Sequence, residues 1–287
     1  MPELPEVQAL AGFLADRTQG RTISRVEVVA FSALKTFDPP VSALEGRTVE
    51  GVERRGKFLD LIAGGDLHLV FHLARAGWVR WNEPAPAGRP KPGRGPLAFR
   101  LVLEPDSAVG LTEAGTQKRL AVYLVRHPDE VPGVARLGID PLSASFTPEA
   151  LAGLLEGHRA QIKGVLTDQT VLAGVGNAYS DEALHRAGLS PYKKAGSLDG
   201  PEVARLHEAV VGVLTEAVGR SSSLGIAELK GDKKRAMQVH GRTGEPCPVC
   251  GDTIRQVSFA TRSLQYCPTC QTGGKPLADR RLSRLLK

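Results

Sequence analysis

Along this chain of 287 residues, hydrophobic and polar positions follow two kinds of pattern, one helical and one typical of β-strands. Val7, Leu10 and Leu14 lie on one helical face between Pro5 and Gly20, so the pattern predicts an amphipathic helix over residues 5–18. From Thr22 to Val125, short apolar runs separated by Gly-rich turns are typical of an antiparallel β-sandwich. The predicted strands are Ile23–Val29, Thr48–Arg54, Phe58–Ile62, Leu67–Leu73, Trp78–Trp81, Phe99–Leu103 and Leu120–Val125.

Beyond residue 148 the pattern becomes helical. The predicted helices are Pro148–Glu156, Ile162–Asp168, Asn177–Ala187 and Pro201–Gly219, after a Pro-containing linker over residues 126–148. Glu83–Pro96 is rich in Pro, which cannot lie in a central strand, so it is predicted to be a loop. Ser221–Gly225 and Lys230–Arg235 are polar, and we expect them to form a mobile segment. No internal repeat is present.

All four cysteines fall in one window, as the pairs Cys247-Pro-Val-Cys250 and Cys267-Pro-Thr-Cys270. Two such pairs at this separation predict one structural Zn²⁺ per chain, because four thiolates leave no open position for a catalytic water. Disulfides and a redox-active pair are the alternatives, but reducing cytosol disfavours the first and the Pro inside each pair is a poor match to the second. Thr253–Phe259 alternates at period two, so a zinc-stapled β-hairpin is predicted.

Composition and charge narrow the class of protein. The chain is 41% hydrophobic and 24% charged, which is typical of a folded globular protein, and its net charge is +6. The positive excess lies in residues 221–287, which indicates nucleic acid or another polyanion as partner, with a solvated charged tail as the alternative. No apolar run reaches the ~18 residues of a membrane span, and the start MPELPEVQAL lacks the basic segment of a secretory signal. We therefore expect a cytoplasmic protein associated with the nucleoid, with no membrane partner.

Seven short motifs occur in a characteristic order along the chain: Pro2–Val7, Arg54–Phe58, His72–Leu73, Gly138–Leu142, Gly174–Asn177, Gly241–Cys247 and Tyr266–Gln271. Together they resemble the formamidopyrimidine-DNA glycosylase/endonuclease VIII family of bacterial DNA glycosylase/AP lyases. The resemblance implies an α+β fold, with an N-terminal antiparallel β-sandwich and flanking helix, a C-terminal helix-two-turn-helix module and a zinc-stapled β-hairpin.

With that resemblance, the patterns predict five segments. They are a catalytic β-sandwich domain (1–125), a linker (126–148), a helical helix-two-turn-helix DNA-binding domain (149–240), a zinc-finger hairpin (241–273) and a basic tail (274–287).

The chemistry of the N-terminus can be argued from the residues. Removal of Met1 would leave Pro2 with a free secondary amine, whose ordinary pKa near ~8 keeps a useful fraction neutral and nucleophilic. Attack on the anomeric carbon of a damaged nucleoside expels the base and forms an iminium with the opened sugar, which permits strand cleavage by elimination. Glu3, beside the amine, can protonate the sugar ring oxygen. The resemblance implies these roles for Pro2 and Glu3 and places Lys57 in the same catalytic set; a simple helix start is the alternative.

DNA-contacting residues are implied mainly by the resemblance. His72 matches a basic residue of the sandwich, although a satisfied core histidine is the alternative. Asn177 is predicted at a helix start, where backbone N–H groups favour a phosphate, and an Asn that merely caps the helix is the alternative. Arg262, five residues before Cys267, matches the family's phosphate-gripping arginine. Such contacts set position and salt dependence, and they do not set base identity.

The chain departs from the family pattern where the base is recognised. Arg75 stands where the purine-repairing branch has a methionine that fills the gap left by the everted base. Lys118 and Leu120 lie in the counterpart of the loop that probes the opposite base, with Leu120 as the expected apolar wedge. The lesion-facing loop around Ser222–Gln238 is too divergent to interpret. Oxidised purines, ring-opened purines and oxidised pyrimidines all stay open as substrates.

These observations predict a bifunctional DNA glycosylase/AP lyase of base excision repair. It would flip a damaged, oxidised base out of duplex DNA, remove it through a Pro2 Schiff base and then cleave the strand. The expected partner is damaged double-stranded DNA, bound by a monomer. The alternative is a non-catalytic damaged-DNA-binding protein of the same fold, which would need neither Pro2 nor Glu3. A zinc-dependent hydrolase is disfavoured, because no open metal site with His or carboxylate spacing is present.

Overall fold

The computed structural model describes residues 1–91, 93, 95–259 and 262–279, which form two compact units. The first unit is Met1–Leu137 together with Leu224–Ile226, and the second is Gly138–Ser223 together with the described residues from Ala227 onward. Residues 280–287 of the predicted basic tail, residues 92 and 94 of the predicted loop, and residues 260 and 261 of the predicted hairpin lie outside the described residues.

The first unit opens with helix α1, Leu4–Thr18, which confirms the helix predicted from the apolar spacing. Leu4, Leu10 and Leu14 are fully buried, while the opposite face of the helix is exposed. Arg54 Nε donates to Gln8 Oε1 at 2.7 Å and ties this helix to the sandwich.

Two four-stranded antiparallel sheets follow and confirm the predicted sandwich. The strands are β1 Ile23–Val28, β2 Val49–Arg55, β3 Phe58–Ala63, β4 Leu67–His72, β5 Gly77–Asn82, β6 Leu97–Leu103, β7 Ser107–Glu113 and β8 Ala121–Val125. One sheet has the order β1-β6-β7-β5, and the other has the order β2-β3-β4-β8. The described residues between β5 and β6 form a loop, as predicted.

Strand β7 was not predicted, because its sequence lacks the period-two pattern of a half-buried strand. It lies between β6 and β5, and all seven of its residues are buried. A strand buried on both faces shows no polar alternation. Gly110 weakens the pattern further, because glycine is unfavourable inside a strand. Its small size suits the packing here, since a Cβ at this position would lie 3.3 Å from the Leu97 side chain.

The second unit is helical and ends in a small hairpin. Its helices are α2 Pro148–Leu155, α3 Ile162–Thr167, α4 Asn177–Arg186, α5 Gly200–Ser222, α6 Leu229–Ala236 and α7 Pro268–Thr272, and its strands are β9 Arg255–Ser258 and β10 Ser263–Tyr266. Thr147 and Asp199 accept backbone N–H groups from Ala150 and Glu202, which explains where α2 and α5 begin.

The structure places Lys230–Arg235, which was expected to belong to a mobile polar segment, in helix α6. Its anchor is Leu229, which is buried, and the Lys233 ammonium lies 4.6 Å from the centre of the Tyr179 ring. Its last turn contains Lys233, Lys234 and Arg235, whose positive charges interact favourably with the negative end of the helix dipole. Leu229 is the one buried residue of this helix, so its sequence shows no helical period of apolar residues from which the helix could be predicted.

Part of the stretch predicted as a linker belongs to the sandwich unit. Val131 and Val134 are buried against Val70 and Val125, and the boundary between the units falls after Leu137. Among the described residues, no helix is both long enough and apolar enough to cross a membrane.

Candidate functional site

The start of α1 holds Pro2 and Glu3 in fixed positions. Pro2 is buried, Glu3 is 4% exposed, and Met1 is half-exposed. Glu3 is the N-cap of the helix, and its backbone N–H donates to Glu6 Oε2 at 2.8 Å. A carboxylate and a buried proline thus stand next to each other at the N-cap of α1.

Lys57 and His72 come together at one end of the second sheet. Gly56 and Lys57 form the two-residue turn between β2 and β3, and Gly56 adopts the left-handed conformation (φ 57°) that glycine favours in such turns. His72 on β4 pairs with Phe58 on β3, and the two rings are 4.8 Å apart. The turn therefore presents the Lys57 side chain, itself buried, in the electrostatic neighbourhood of His72.

His72 is neutral at physiological pH in this setting. Burial, and then the positive charge of Lys57, lower the pKa of His72 from 6.5 to about 4. The backbone N–H of Ala74 donates to His72 Nδ1 at 3.2 Å, so Nδ1 is the acceptor and Nε2 carries the proton. The pair therefore offers a cation and a neutral N–H donor, both suited to an anionic oxygen.

Arg75 lies on a tight turn after β4. Ala74 has φ 50°, and the N–H of Gly77 donates to Leu73 O at 2.8 Å. A Cβ at position 77 would lie 2.1 Å from the Leu73 carbonyl oxygen, so the turn requires glycine there. Arg75 is exposed at the tip, as a residue that contacts DNA would have to be.

Leu120 corrects the expectation of an exposed wedge, whereas Lys118 in the same loop is exposed. The backbone N–H groups of Arg119 and Leu120 donate to Glu113 Oε1 at 2.7 and 2.9 Å. These bonds turn the chain inward, and Leu120 is 1% exposed. The exposed part of this loop is residues 114–119, so Leu120 is a core residue in this structure.

In the second unit, Asn177 and the strand that follows Arg262 are in contact. Gly176 is the N-cap of α4, and Asn177 is its first helical residue. Asn177 Nδ2 donates to the Ser263 carbonyl at 2.7 Å, and Asn177 Oδ1 is buried without a hydrogen-bond partner among the described residues. Arg262, which precedes Ser263, is exposed, with its guanidinium 6.0 Å from the centre of the Phe259 ring.

A buried charged network supports this part of α4, and it was missed from sequence. Asp181 is fully buried and accepts from Lys163 Nζ at 2.6 Å, His240 Nδ1 at 2.7 Å and the Gln265 N–H at 3.3 Å. Glu182 accepts the backbone N–H groups of residues 238–240. Two consecutive acidic residues on a helix look like a solvated face, and only the tertiary structure reveals their partners.

The four cysteines converge as the spacing predicts. Their Sγ atoms lie within 4.8 Å of one another, with Cys250 and Cys267 3.3 Å apart and Cys247 and Cys270 3.9 Å apart. Zn–S bonds of ~2.3 Å in a tetrahedron require sulfurs roughly 3.8 Å apart, so the cluster fits one Zn²⁺. Burial raises the pKa of the Cys267 thiol to about 11, so zinc binding must displace the proton of this thiol.

The fold and the cysteine cluster place this chain in a class of zinc-finger proteins. Members of this class have an antiparallel β-sandwich followed by a helical unit that ends in a hairpin with four zinc-binding cysteines. Three family models match the chain: the formamidopyrimidine-DNA glycosylase N-terminal domain over residues 1–117, its H2TH domain over residues 137–226, and the zinc finger found in FPG and IleRS over residues 244–273. The chain belongs to the formamidopyrimidine-DNA glycosylase family.

Individual relatives agree with this assignment. A formamidopyrimidine-DNA glycosylase from Symbiobacterium thermophilum is 40% identical over 94% of this chain and 89% of its own length. An uncharacterized formamidopyrimidine-DNA glycosylase-like protein of Mycobacterium tuberculosis is 61% identical over 53% of this chain and 94% of its own length. The crystal structure of the Lactococcus lactis enzyme bound non-covalently to DNA containing an AP site is 27% identical, with a TM-score of 0.81 over 94% of this chain and 99% of that chain.

Proposed function

We propose that this protein is a bifunctional DNA glycosylase/AP lyase of base excision repair that removes an oxidised base and then cleaves the strand. The observation that carries the proposal is the buried Pro2–Glu3 pair at the start of α1, which combines a potential secondary amine with a carboxylate. Family membership and the relative bound to AP-site DNA support the same activity.

In this mechanism Met1 is removed and the Pro2 nitrogen attacks the anomeric carbon of the damaged nucleoside. The bond from that carbon to the base breaks and the base departs with the electron pair, while the proton that the Pro2 nitrogen loses balances the one that the base takes up. Glu3 protonates the sugar ring oxygen as the ring opens, which leaves an iminium between Pro2 and the sugar. The Glu3 carboxylate, which has given up its proton, then takes a proton from the neighbouring carbon, and the 3′ phosphate leaves by elimination.

The remaining site residues bind the DNA backbone and the helix interior. Lys57 and His72 together supply a positive charge and a neutral N–H donor for phosphate oxygens near the reacting sugar. Asn177 and Arg262 provide a second phosphate contact. Arg75 and Lys118 are exposed on loops, from which they can reach the stacked bases of the duplex. Zinc supplies no chemistry in this scheme; its four thiolates hold the hairpin that carries Arg262. The protein acts as a monomer on damaged double-stranded DNA of the nucleoid.

Borohydride trapping tests the proposal. Because the iminium is reducible, borohydride added during reaction with abasic-site DNA should cross-link the wild-type protein to DNA. Pro2→Gly should trap weakly or not at all, because the amine becomes primary and shifts in position. Mass spectrometry of the mature protein should show that Met1 is absent.

Two results would contradict the assignment. Equal trapping by wild type and Pro2→Gly, with loss of trapping in Lys57→Ala, would move the nucleophile to the lysine. A retained Met1 together with normal DNA binding and no trapping would leave the non-catalytic DNA-binding alternative.

A further inference from the structure

The last turn of α4 contacts the zinc-binding cysteines through a histidine. His185 lies one residue before the end of the helix and is 7% exposed, and its Nε2 is 3.3 Å from Cys247 Sγ. The cysteine and the histidine are 62 residues apart in the chain. Nothing in the spacing of the cysteines points to this residue, and the proposed glycosylase chemistry does not use it.

The direction of this hydrogen bond follows from the chemistry of a metal-bound thiolate. A cysteine that ligates zinc has lost its proton, so its sulfur can only accept. The imidazole must therefore donate, through Nε2–H, to Cys247 Sγ. Cys247 also accepts the backbone N–H groups of Val249 and Cys250, which belong to the same Cys-x-x-Cys pair, so His185 adds a donor from outside the hairpin.

Such a donor stabilises the metal site electrostatically. Four thiolates around one Zn²⁺ carry two net negative charges, and Cys247 and Cys267 are 3% and 0% exposed. In a medium of low dielectric, N–H donors offset this charge more effectively than they would in water. Outer-shell donors of this kind typically change metal affinity by 10- to 100-fold.

The histidine is also the last of three regularly spaced contacts along α4. Asn177, Asp181 and His185 are four residues apart and so lie on one face of the helix. Asn177 donates to the Ser263 carbonyl, Asp181 accepts from the Gln265 N–H, and His185 reaches Cys247. The stripe spans about 12 Å at 1.5 Å per residue, so it joins the metal end of the hairpin to the end that carries Arg262.

The second cysteine pair is held against the same end of α4. Gln271 Nε2 donates to the Leu189 carbonyl at 2.9 Å, and Gln271 Oε1 accepts from the Cys267 N–H at 2.9 Å. A Cβ at Gly188 would lie 3.5 Å from the Cys270 carbonyl oxygen. Both Cys-x-x-Cys pairs are thus held at residues 185–189, the first by the His185 side chain, which touches a sulfur, and the second by the Gln271 side chain, which donates to a backbone carbonyl.

We propose that His185 donates a hydrogen bond to the zinc-bound thiolate of Cys247 and thereby retains the metal and fixes the hairpin on α4. It acts through the thiolate and the hairpin position, and touches neither DNA nor the reacting atoms. Its effect on DNA binding rests on the proposed function, whereas its effect on zinc retention does not.

The test uses zinc-loaded, full-length protein and two substitutions that differ in one property. His185→Gln keeps an N–H donor of similar reach, and His185→Leu fills a similar volume without a donor. Zinc release to a chromophoric chelator should be about tenfold faster or more for His185→Leu, and within about threefold of wild type for His185→Gln. His158→Leu, at an exposed histidine of the same unit, is the control and should release zinc at the wild-type rate.

A spectroscopic measurement separates the hydrogen bond from packing. In cobalt-substituted protein, the thiolate-to-metal charge-transfer band should shift in His185→Leu and stay near the wild-type position in His185→Gln. Equal release rates and unshifted bands in both variants would overturn the proposal, and so would equally fast release in both, since packing alone would then explain it.

A DNA-binding measurement connects the metal to the proposed function. At limiting zinc, His185→Leu should bind an abasic-analogue duplex more weakly than wild type, and added zinc should restore binding. Unchanged binding despite rapid zinc loss would refute the role of His185 in fixing the hairpin. A wild-type protein that neither binds nor traps DNA would instead refute the proposed function, and would leave the zinc-release comparison intact.

Discussion

Replacing His72 with glutamine should remove a large part of the acid sensitivity of the sandwich unit. Burial and the nearby Lys57 charge lower the pKa of His72 to about 4 in the folded state, against 6.5 when the chain is unfolded. Between these values the unfolded chain binds a proton that the folded protein does not. The free energy of unfolding therefore falls as the pH drops from about 6.5 to about 4, and it is regained as the pH rises.

The two pKa values set the size of this effect. At pH 4.5 the difference corresponds to roughly 2 to 3 kcal/mol lost relative to neutral pH, at 1.36 kcal/mol for each pKa unit. His72→Gln lacks a titrating ring but keeps a side-chain acceptor for the Ala74 N–H. Its unfolding free energy should therefore decline less between pH 7 and pH 4.5, by about the same 2 to 3 kcal/mol.

The two tryptophans of the chain make the assay specific to this unit. Trp78 and Trp81 both lie in β5, so tryptophan fluorescence during urea unfolding reports on the sandwich. Loss of zinc at low pH would perturb the second unit, which contains no tryptophan, so the fluorescence would still report on the sandwich. His158→Gln, in the second unit, controls for the loss of one histidine. A His72→Gln profile parallel to the wild-type profile, or an NMR titration of His72 near pH 6.5, would refute the argument.

Three further predictions concern catalysis, base recognition and packing. Glu3→Gln should lower base excision by ~10²–10⁴ while DNA affinity stays within a few fold, as measured by single-turnover rates and titration; a parallel loss of affinity would make Glu3 a binding residue. Arg75→Ala should slow cleavage of a base lesion in duplex DNA while sparing an abasic duplex; equal losses on both substrates would indicate a simple phosphate contact. Leu120→Ala should cost about 2–5 kcal/mol in urea unfolding, as for a buried leucine, and unchanged stability with selective loss of lesion cleavage would restore its role as a wedge.

Features encoded by short-range patterns were predictable from the sequence. The Cys-x-x-Cys pairs fix their own local geometry, so the zinc cluster followed from spacing alone. Helix α1 and the half-buried strands show clear periods of burial. Strand β7 was missed because burial on both faces removes the alternation, and α6 was missed because Leu229 is its only buried residue.

Side-chain partners that are distant in sequence were beyond the reach of these patterns. Leu120 was assigned to a wedge by its position in a loop, but the Glu113 carboxylate turns the backbone and buries it. His185 is an ordinary residue near a helix end until the fold brings Cys247 to it. The exposure of Arg75 agrees with its expected role, whereas the roles of Pro2 and Glu3 are proposals that rest on chemistry and family membership.

The burial of Val131 and Val134 determines where this polypeptide can be divided. A fragment that ended at Val125, at the last strand of the sandwich, would lack both valines and expose the faces of Val70 and Val125 that they cover. Each such side chain contributes roughly 1.5–3 kcal/mol when it is fully buried, so the shorter fragment would lose stability and gain an adhesive apolar surface. A fragment that extends to Leu137 keeps these contacts. The stretch from Arg126 to Leu137 is therefore part of the folded sandwich unit and has to be included in any fragment of it.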